Sequence, residues 1–192
     1  MKKSILLSTI LLITGCSVKT TTLNSYDLST NSSISSVKHH KNRVLKVKYP
    51  SALDALGSSK IFYKRDGITS YYLYSQWSAP LNRLIYSQLI KNLSNSNSFK
   101  SVVGYSSEVS PDLNLETQII DFYNVVEGED SYADISIKVR LINAKNEKIV
   151  KEKLFHYKLK VEELNAKSFI STAKMAIEEF NRDLVKFLES AI

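Results

Sequence analysis

The side chains that could do metal or acid–base chemistry in this 192-residue sequence are few and scattered. His39 and His40 stand in a basic loop, and the third histidine, His156, falls on the polar side of a strand pattern. Two adjacent histidines without further ligands do not converge on a metal, and one cysteine cannot supply the paired thiolates of a zinc site. We therefore expect no metal and no cofactor.

Acidic residues are the other candidates, because two carboxylates can act as general acid and general base. The candidates are Asp112, Glu116, Asp121, Glu127, Glu129 and Asp130. Glu127, Glu129 and Asp130 lie in a turn around Gly128, where solvated charged residues are common. Nothing in the sequence pairs them with a nucleophile. The sequence also lacks a Gly-x-Ser-x-Gly elbow, a His-Glu-x-x-His motif and a glycine-rich phosphate loop. We expect the protein not to be an enzyme.

The single cysteine, Cys16, follows a stretch with the features of an export signal. Two lysines start the stretch, and its apolar body is shorter than the about 20 residues that cross a bilayer. The run Ile13-Thr14-Gly15-Cys16 resembles the bacterial lipobox, in which the cysteine is acylated and the signal is cut before it. A free thiol in an ordinary secretory signal is the alternative. We predict a signal peptide over 1–15 and lipidation of Cys16.

The segment after the lipobox, residues 16–36, is rich in Ser, Thr and Asn. It has too little apolar surface to offset its ordering entropy, so we predict a flexible tether in which only Tyr26-Asp27-Leu28 could pair with a sheet edge. Residues 37–192 are predicted to form a single domain, since the 43% hydrophobic content is that of a globular protein. Ser17, where a retention signal has Asp, resembles the Gram-negative pattern for transfer to the outer membrane.

Periodicity in residues 37–192 predicts an α+β fold, a mostly antiparallel sheet with two helices packed on one face. Asp66-Gly67 suits a type I′ turn between strands, because both turn positions need positive φ. Ser78-Ala79-Pro80 is expected to open the first helix, with Ser78 as its cap. Strict alternation of apolar and polar residues over 133–141 indicates a strand covered on one face only. Further strands are predicted at 43–49, 99–103, 113–126 (with a bulge near Ile119-Ile120) and 148–161, and a second helix at 168–188.

The charge pattern argues against nucleic acid as a partner. The chain has 26 Lys plus Arg against 19 Asp plus Glu, a net charge of +7. A nucleic-acid reader usually gathers its basic residues on one element with aromatics between them, and this sequence does so only modestly.

Aromatic residues are concentrated between positions 62 and 77. Consecutive strand residues point to opposite faces, so about half of these rings must fill the core. The others could form an exposed contact surface, for which we take Tyr72, Tyr74 and Trp77 as candidate partner or lipid contacts. Trp77 lies at a strand–helix junction, where its ring could instead seal the core, and we favour that role.

Three loose motifs and the order of elements resemble the ABC-type transport auxiliary lipoprotein family. The motifs are Tyr26-Asp27-Leu28, the basic strand ending in Val47-Lys48-Tyr49-Pro50, and the run Gln76-Trp77-Ser78-Ala79-Pro80-Leu81. The resemblance extends from about Tyr26 to Leu188, although Gln76 replaces a residue that is commonly basic in the family.

The resemblance implies an outer-membrane lipoprotein that assists an MCE-type system, in which an ABC transporter and a periplasmic MCE tunnel move lipids or other hydrophobic solutes. The expected role is docking or receiving, without catalysis, with an MCE-domain protein and the ABC components as partners. A different class remains open: a structural or regulatory envelope lipoprotein that binds a peptidoglycan or outer-membrane assembly partner. The oligomeric state, including a homo-oligomer, is also open.

Overall fold

The computed structural model describes residues 22–30 and 40–191. This part of the chain contains nine strands and two α-helices, together with a short 3-10 helix at Asp54–Gly57. The strands are β1 (Asn24–Tyr26), β2 (His40–Val47), β3 (Ser51–Ala52), β4 (Lys60–Arg65), β5 (Ile68–Trp77), β6 (Phe99–Val103), β7 (Leu113–Glu127), β8 (Asp130–Asn143) and β9 (Ile149–Lys160). The helices are α1 (Leu81–Asn95) and α2 (Ala166–Glu189).

The long strand β7 organises the sheet. One of its edges pairs with antiparallel β8 along the whole strand, and β8 in turn pairs with antiparallel β9. The other edge of β7 pairs in succession with β2, β3 and β4, all of them parallel to it. Outside these, β6 pairs with β2, while β5 pairs with β4 and β1 pairs with β5. The register shift between Ile119 and Asp121 confirms the predicted bulge.

The α+β class is confirmed, but the prediction of a mostly antiparallel sheet is wrong, because the sheet is mixed. Among the described residues, β1 with β5, β2 with β6, and β7 with β2, β3 and β4 are parallel pairs. Alternation of apolar and polar residues indicates that one face of a strand is covered. The pattern is the same whether the neighbouring strand is parallel or antiparallel. Strands β2, β3 and β4 can lie parallel to β7 because the chain reaches β7 from them through a long connection that includes α1 and β6, and not through a short hairpin.

Both helices join the sheet in one hydrophobic core. Helix α1 contacts β2 and β6, whereas α2 contacts β8 and β9. That both helices lie on a single face stays a prediction. No helix among the described residues is long and apolar enough to cross a bilayer.

The helix starts differ in how they are capped. Asn165 caps α2, its side-chain oxygen accepting a hydrogen bond from the Ser168 backbone N–H at 2.8 Å. The predicted cap Ser78 is wrong, since Pro80 is the N-cap of α1 and no side chain caps that end. Instead, the Ser78 N–H donates to the Tyr26 carbonyl at 2.7 Å and so fastens the helix entrance to β1.

Part of the predicted tether is built into the domain. Tyr26 lies opposite Trp77 where β1 pairs with β5, which confirms that this segment meets a sheet edge. Leu28 is fully buried in the core, and Thr30 donates a hydrogen bond to Gln88. Residues 16–21 and 31–36 of the predicted tether lie outside the described residues, as does the signal sequence.

The turn between β4 and β5 has the predicted geometry, with φ of 51° at Asp66 and 76° at Gly67. We expect Gly67→Val to destabilise the domain by about 1 kcal/mol or more, because a β-branched residue resists positive φ. A Cβ at Gly67 would meet no atom within 4 Å, so the effect comes from the backbone and not from a clash. Urea unfolding of the variant checks this, with Thr69→Val as a control that adds the same side chain to regular strand. Equal midpoints for the two variants would contradict the prediction.

Candidate docking surfaces

The outer edge of β5 carries a group of exposed apolar side chains. Ile68 is 69% exposed, Leu73 67% and Tyr74 57%, and Tyr71 is also exposed. Exposed Leu164, from the loop before α2, lines the same shallow hollow as Tyr71, Leu73 and Tyr74. We call Ile68, Tyr71, Leu73, Tyr74 and Leu164 the β5 patch.

The strand edge beside this patch is left open. Within the described residues, β1 covers only Ser75–Trp77 of β5, and no strand pairs with the outer edge from Ile68 to Tyr74. Proteins usually protect such an edge with charges. The other long edge strand, β9, has lysines at 151, 153, 158 and 160, whereas β5 has no charged residue at all. An uncharged open edge with exposed apolar side chains is characteristic of a contact surface.

Tyr71 is held in place by the strand beside it. Its ring packs edge-on against Phe62 at 6.3 Å, and the Lys60 ammonium lies 3.9 Å from the ring centre. Phe62 in turn packs against the buried ring of Tyr123, so the position of Tyr71 is fixed by aromatic packing that extends into the core.

The predicted contact residue Tyr72 lies between solvent and core. Its hydroxyl accepts a hydrogen bond from Asn124 Nδ2 at 2.7 Å, and Asn124 Oδ1 accepts one from Ser131 at 2.5 Å. Asn124 and Ser131 are buried, and burial raises the pKa of the Tyr72 hydroxyl. Tyr72 therefore provides the hydrogen-bond partner of the buried Asn124 amide. The ring of Tyr74, by contrast, is largely in solvent.

Trp77, the third predicted contact residue, is only 1% exposed. Its indole ring packs edge-on against Phe122 at 5.8 Å and lies 6.5 Å from the ring of Phe169 in α2. The Trp77 backbone N–H donates to the Ser59 carbonyl at 2.8 Å. This burial favours the packing role over the contact role.

A second aromatic group consists of the exposed Tyr49 and Tyr105 and the half-buried Tyr86, which we call the tyrosine cluster. All three ring pairs have centroids 5.3–5.5 Å apart. The Tyr86 hydroxyl accepts a hydrogen bond from the Tyr105 N–H, and Tyr49 donates to Asn82 at 3.4 Å. Gly104 makes this packing possible, since a Cβ there would lie 2.4 Å from the Tyr86 hydroxyl oxygen.

The linear sequence does not reveal the tyrosine cluster, because its members come from three separate elements. Tyr49 follows β2, Tyr86 lies in α1 and Tyr105 follows β6. No periodicity relates positions so far apart, and they meet because β2 pairs with β6 and α1 contacts both strands. The Gly104-Tyr105 step was the one local signal, because glycine can mark a close approach of backbone to a side chain.

Three of the acidic residues considered for catalysis, Asp121, Glu127 and Asp130, form ion pairs with lysines of other strands. Lys158 and Lys160 pair with Glu127 and Asp130, each at 2.7 Å. Lys64 pairs with Asp121 at 3.5 Å. A hydrogen bond from the Lys160 ammonium lowers the pKa of Asp130.

The remaining chemically active groups are distributed as follows. His156 lies 2.8 Å from Asp134 across β8 and β9, in a solvent-exposed pair. Asp112 accepts a hydrogen bond from the Val44 backbone N–H. Cys16 and His39 lie outside the described residues, and the His40 side chain is not described.

An α+β domain with a mixed sheet of this kind occurs in several solved structures. Protein XCC0632 from Xanthomonas campestris is 16% identical, with a TM-score of 0.79 over 86% of this chain and 94% of that one. An uncharacterized protein is 18% identical, with a TM-score of 0.65 over 82% of this chain and 99% of that one. A hypothetical protein, CT253 from Chlamydia trachomatis, is 9% identical, with a TM-score of 0.55 over 78% and 97%. At these identities the likeness shows the fold alone.

No curated protein matches the chain. The profile of the ABC-type transport auxiliary lipoprotein component family matches residues 26–185, and the chain belongs to this family. The resemblance drawn from the sequence motifs is thereby confirmed over nearly the whole predicted range. Membership makes the protein an auxiliary lipoprotein of the cell envelope, associated with ABC-type transport.

Proposed function

We propose that this lipoprotein is a docking or receiving component of an MCE-type transport system, held at the periplasmic face of the outer membrane through Cys16. It does no chemistry. Its partners are an MCE-domain protein and, through that protein, the ABC components that drive transport of lipids or other hydrophobic solutes.

The dense packing between α2 and the sheet supports a docking role and argues against a role in which the domain itself carries lipid. Buried Trp77, Phe122 and Phe169 occupy the space between helix and sheet with mutually contacting rings. Farther along the helix, Phe155 packs edge-on against Phe180 and Phe187. Close-packed interiors of this kind resist insertion of additional groups, so binding falls to the surface.

The tyrosine cluster is the surface that we assign to the MCE partner. Tyrosine is enriched at protein interfaces because its rigid ring buries a large area at low entropic cost, while its hydroxyl can still form a hydrogen bond. The cluster borders β2 and β6, and β2 pairs with the start of β7 at Leu113–Leu115, whereas β4, the neighbour of β5, pairs near its end at Asn124–Val126. A partner bound there leaves the β5 patch and the anchored end of the chain uncovered.

The test is binding of the full mature lipoprotein to an MCE-domain protein from the same organism. We expect Tyr105→Ala to weaken binding by about 2 kcal/mol, roughly 30-fold in Kd, as truncation of an interface aromatic does. Tyr74→Ala is the matched control, since Tyr74 and Tyr105 are 57% and 55% exposed. Equal affinities of the two variants for the MCE-domain protein would show that the tyrosine cluster is not part of the interface. Capture of a peptidoglycan enzyme or an outer-membrane assembly protein instead would favour the alternative class.

A further inference from the structure

We propose that the β5 patch lies against the phospholipid bilayer that holds the acylated Cys16, so that the domain is oriented on the membrane. This proposal rests on the proposed function in one respect, which is acylation of Cys16. It adds a second membrane contact and identifies the face of the domain that makes it.

The chain between the anchor and the domain is short. β1 begins at Asn24, so only seven residues separate it from Cys16. Eight steps along the chain span at most about 29 Å. A domain of this size has a diameter of roughly 40 Å, estimated from its expected radius of gyration. The start of β1 therefore cannot be turned to the far side of the domain from the membrane.

The chain also enters the domain from the side of the β5 patch. β1 runs parallel to β5, with Asn24 opposite Ser75 and Tyr26 opposite Trp77. The chain before Asn24 therefore leaves on the Tyr74 side, toward the end of β5 that begins at Ile68. Leu23, the residue at this exit, is itself half-exposed. The exit toward the anchor and the β5 patch thus lie on the same edge of the sheet.

The side chains of the β5 patch suit contact with a phospholipid bilayer. Leucine and isoleucine gain from contact with acyl chains, and tyrosine is enriched at the head-group level of membranes. The nearby charges are mixed, because Arg65 and Lys60 accompany the patch while Asp66 lies at the adjoining turn. Zwitterionic phospholipid is therefore sufficient, and no excess of anionic lipid is required. Peripheral proteins commonly combine a lipid anchor with a second, weaker contact of this kind.

The experiment places a fluorescent label at position 73 of the full mature lipoprotein. Leu73→Cys introduces the one thiol that is not acylated, at an exposed position. The matched control is Met175→Cys on α2, which is 57% exposed. Both proteins are inserted through their own anchor into nanodiscs of phosphatidylethanolamine, with or without phosphatidylglycerol, that contain a quencher attached to the lipid.

We expect at least threefold stronger quenching at position 73 than at position 175, with little dependence on phosphatidylglycerol. Equal quenching at the two positions in membrane-bound protein would overturn the bilayer contact and leave the docking function intact. Energy transfer between labels at position 73 that is lost on dilution into excess nanodiscs would also overturn it, because a second copy would then cover the open edge. Failure of the unlabelled protein to associate with membranes would overturn the anchor, and with it both proposals.

Discussion

Trp77→Ala should destabilise the domain by about 3–5 kcal/mol, the range for replacing a large core aromatic with alanine. The indole is 1% exposed and lies between Phe122 of β7 and Phe169 of α2, so its loss would leave a cavity between sheet and helix. A domain of this size has about 5–15 kcal/mol of total stability. We therefore expect a much lower urea midpoint by far-UV circular dichroism and a lower steady-state abundance in cells.

Two control variants separate this packing role from other effects. Trp77→Phe keeps a ring against Phe122 and should cost clearly less than alanine. Tyr74→Ala removes an aromatic ring from the same strand at an exposed position, and should change stability by about 0.5 kcal/mol or less. A Trp77→Ala domain with a normal midpoint but weakened binding to the MCE partner would overturn the packing role.

Cys16→Ser should convert the protein from membrane-bound to an uncleaved or soluble form. A serine hydroxyl does not replace the thiol in acylation, and each methylene of an acyl chain contributes about 0.8 kcal/mol to membrane binding. Two or three chains on one residue make dissociation negligible, whereas the β5 patch by itself gives only reversible contact. Membrane fractionation with electrophoresis should show nearly all of the wild type as cleaved protein in the membrane fraction. The variant should be found either as the uncleaved precursor or, where it is cleaved, in the soluble fraction.

The matched control is Ser17→Ala, which changes the neighbouring residue and keeps the thiol. It should be processed and should fractionate with membranes like the wild type. Normal maturation and membrane association of Cys16→Ser would contradict the lipoprotein assignment for this chain, whatever the outcome at Ser17.

The sequence by itself determined the features that depend on neighbouring residues. The Asp66-Gly67 turn follows from the positive φ that these residues tolerate. The α2 helix follows from apolar residues at helical spacing, and its buried side chains include Phe169, Ile177 and Leu184. The change in apolar phase at Ile119 predicted the bulge in β7 correctly. Each of these preferences acts within a few residues and is therefore visible in a linear pattern.

Only the tertiary structure decided which strands meet and which rings share a surface. Parallel pairing of β2, β3 and β4 along β7 depends on contacts more than fifty residues apart, and alternation does not encode strand direction. Pairing of β2 with β6 and packing of α1 on them bring Tyr49, Tyr86 and Tyr105 together, and packing of α2 on the sheet places Phe169 against Trp77. A ring at an element junction can be buried or exposed with the same local sequence. The choice is made by the side chains that the rest of the chain places against it.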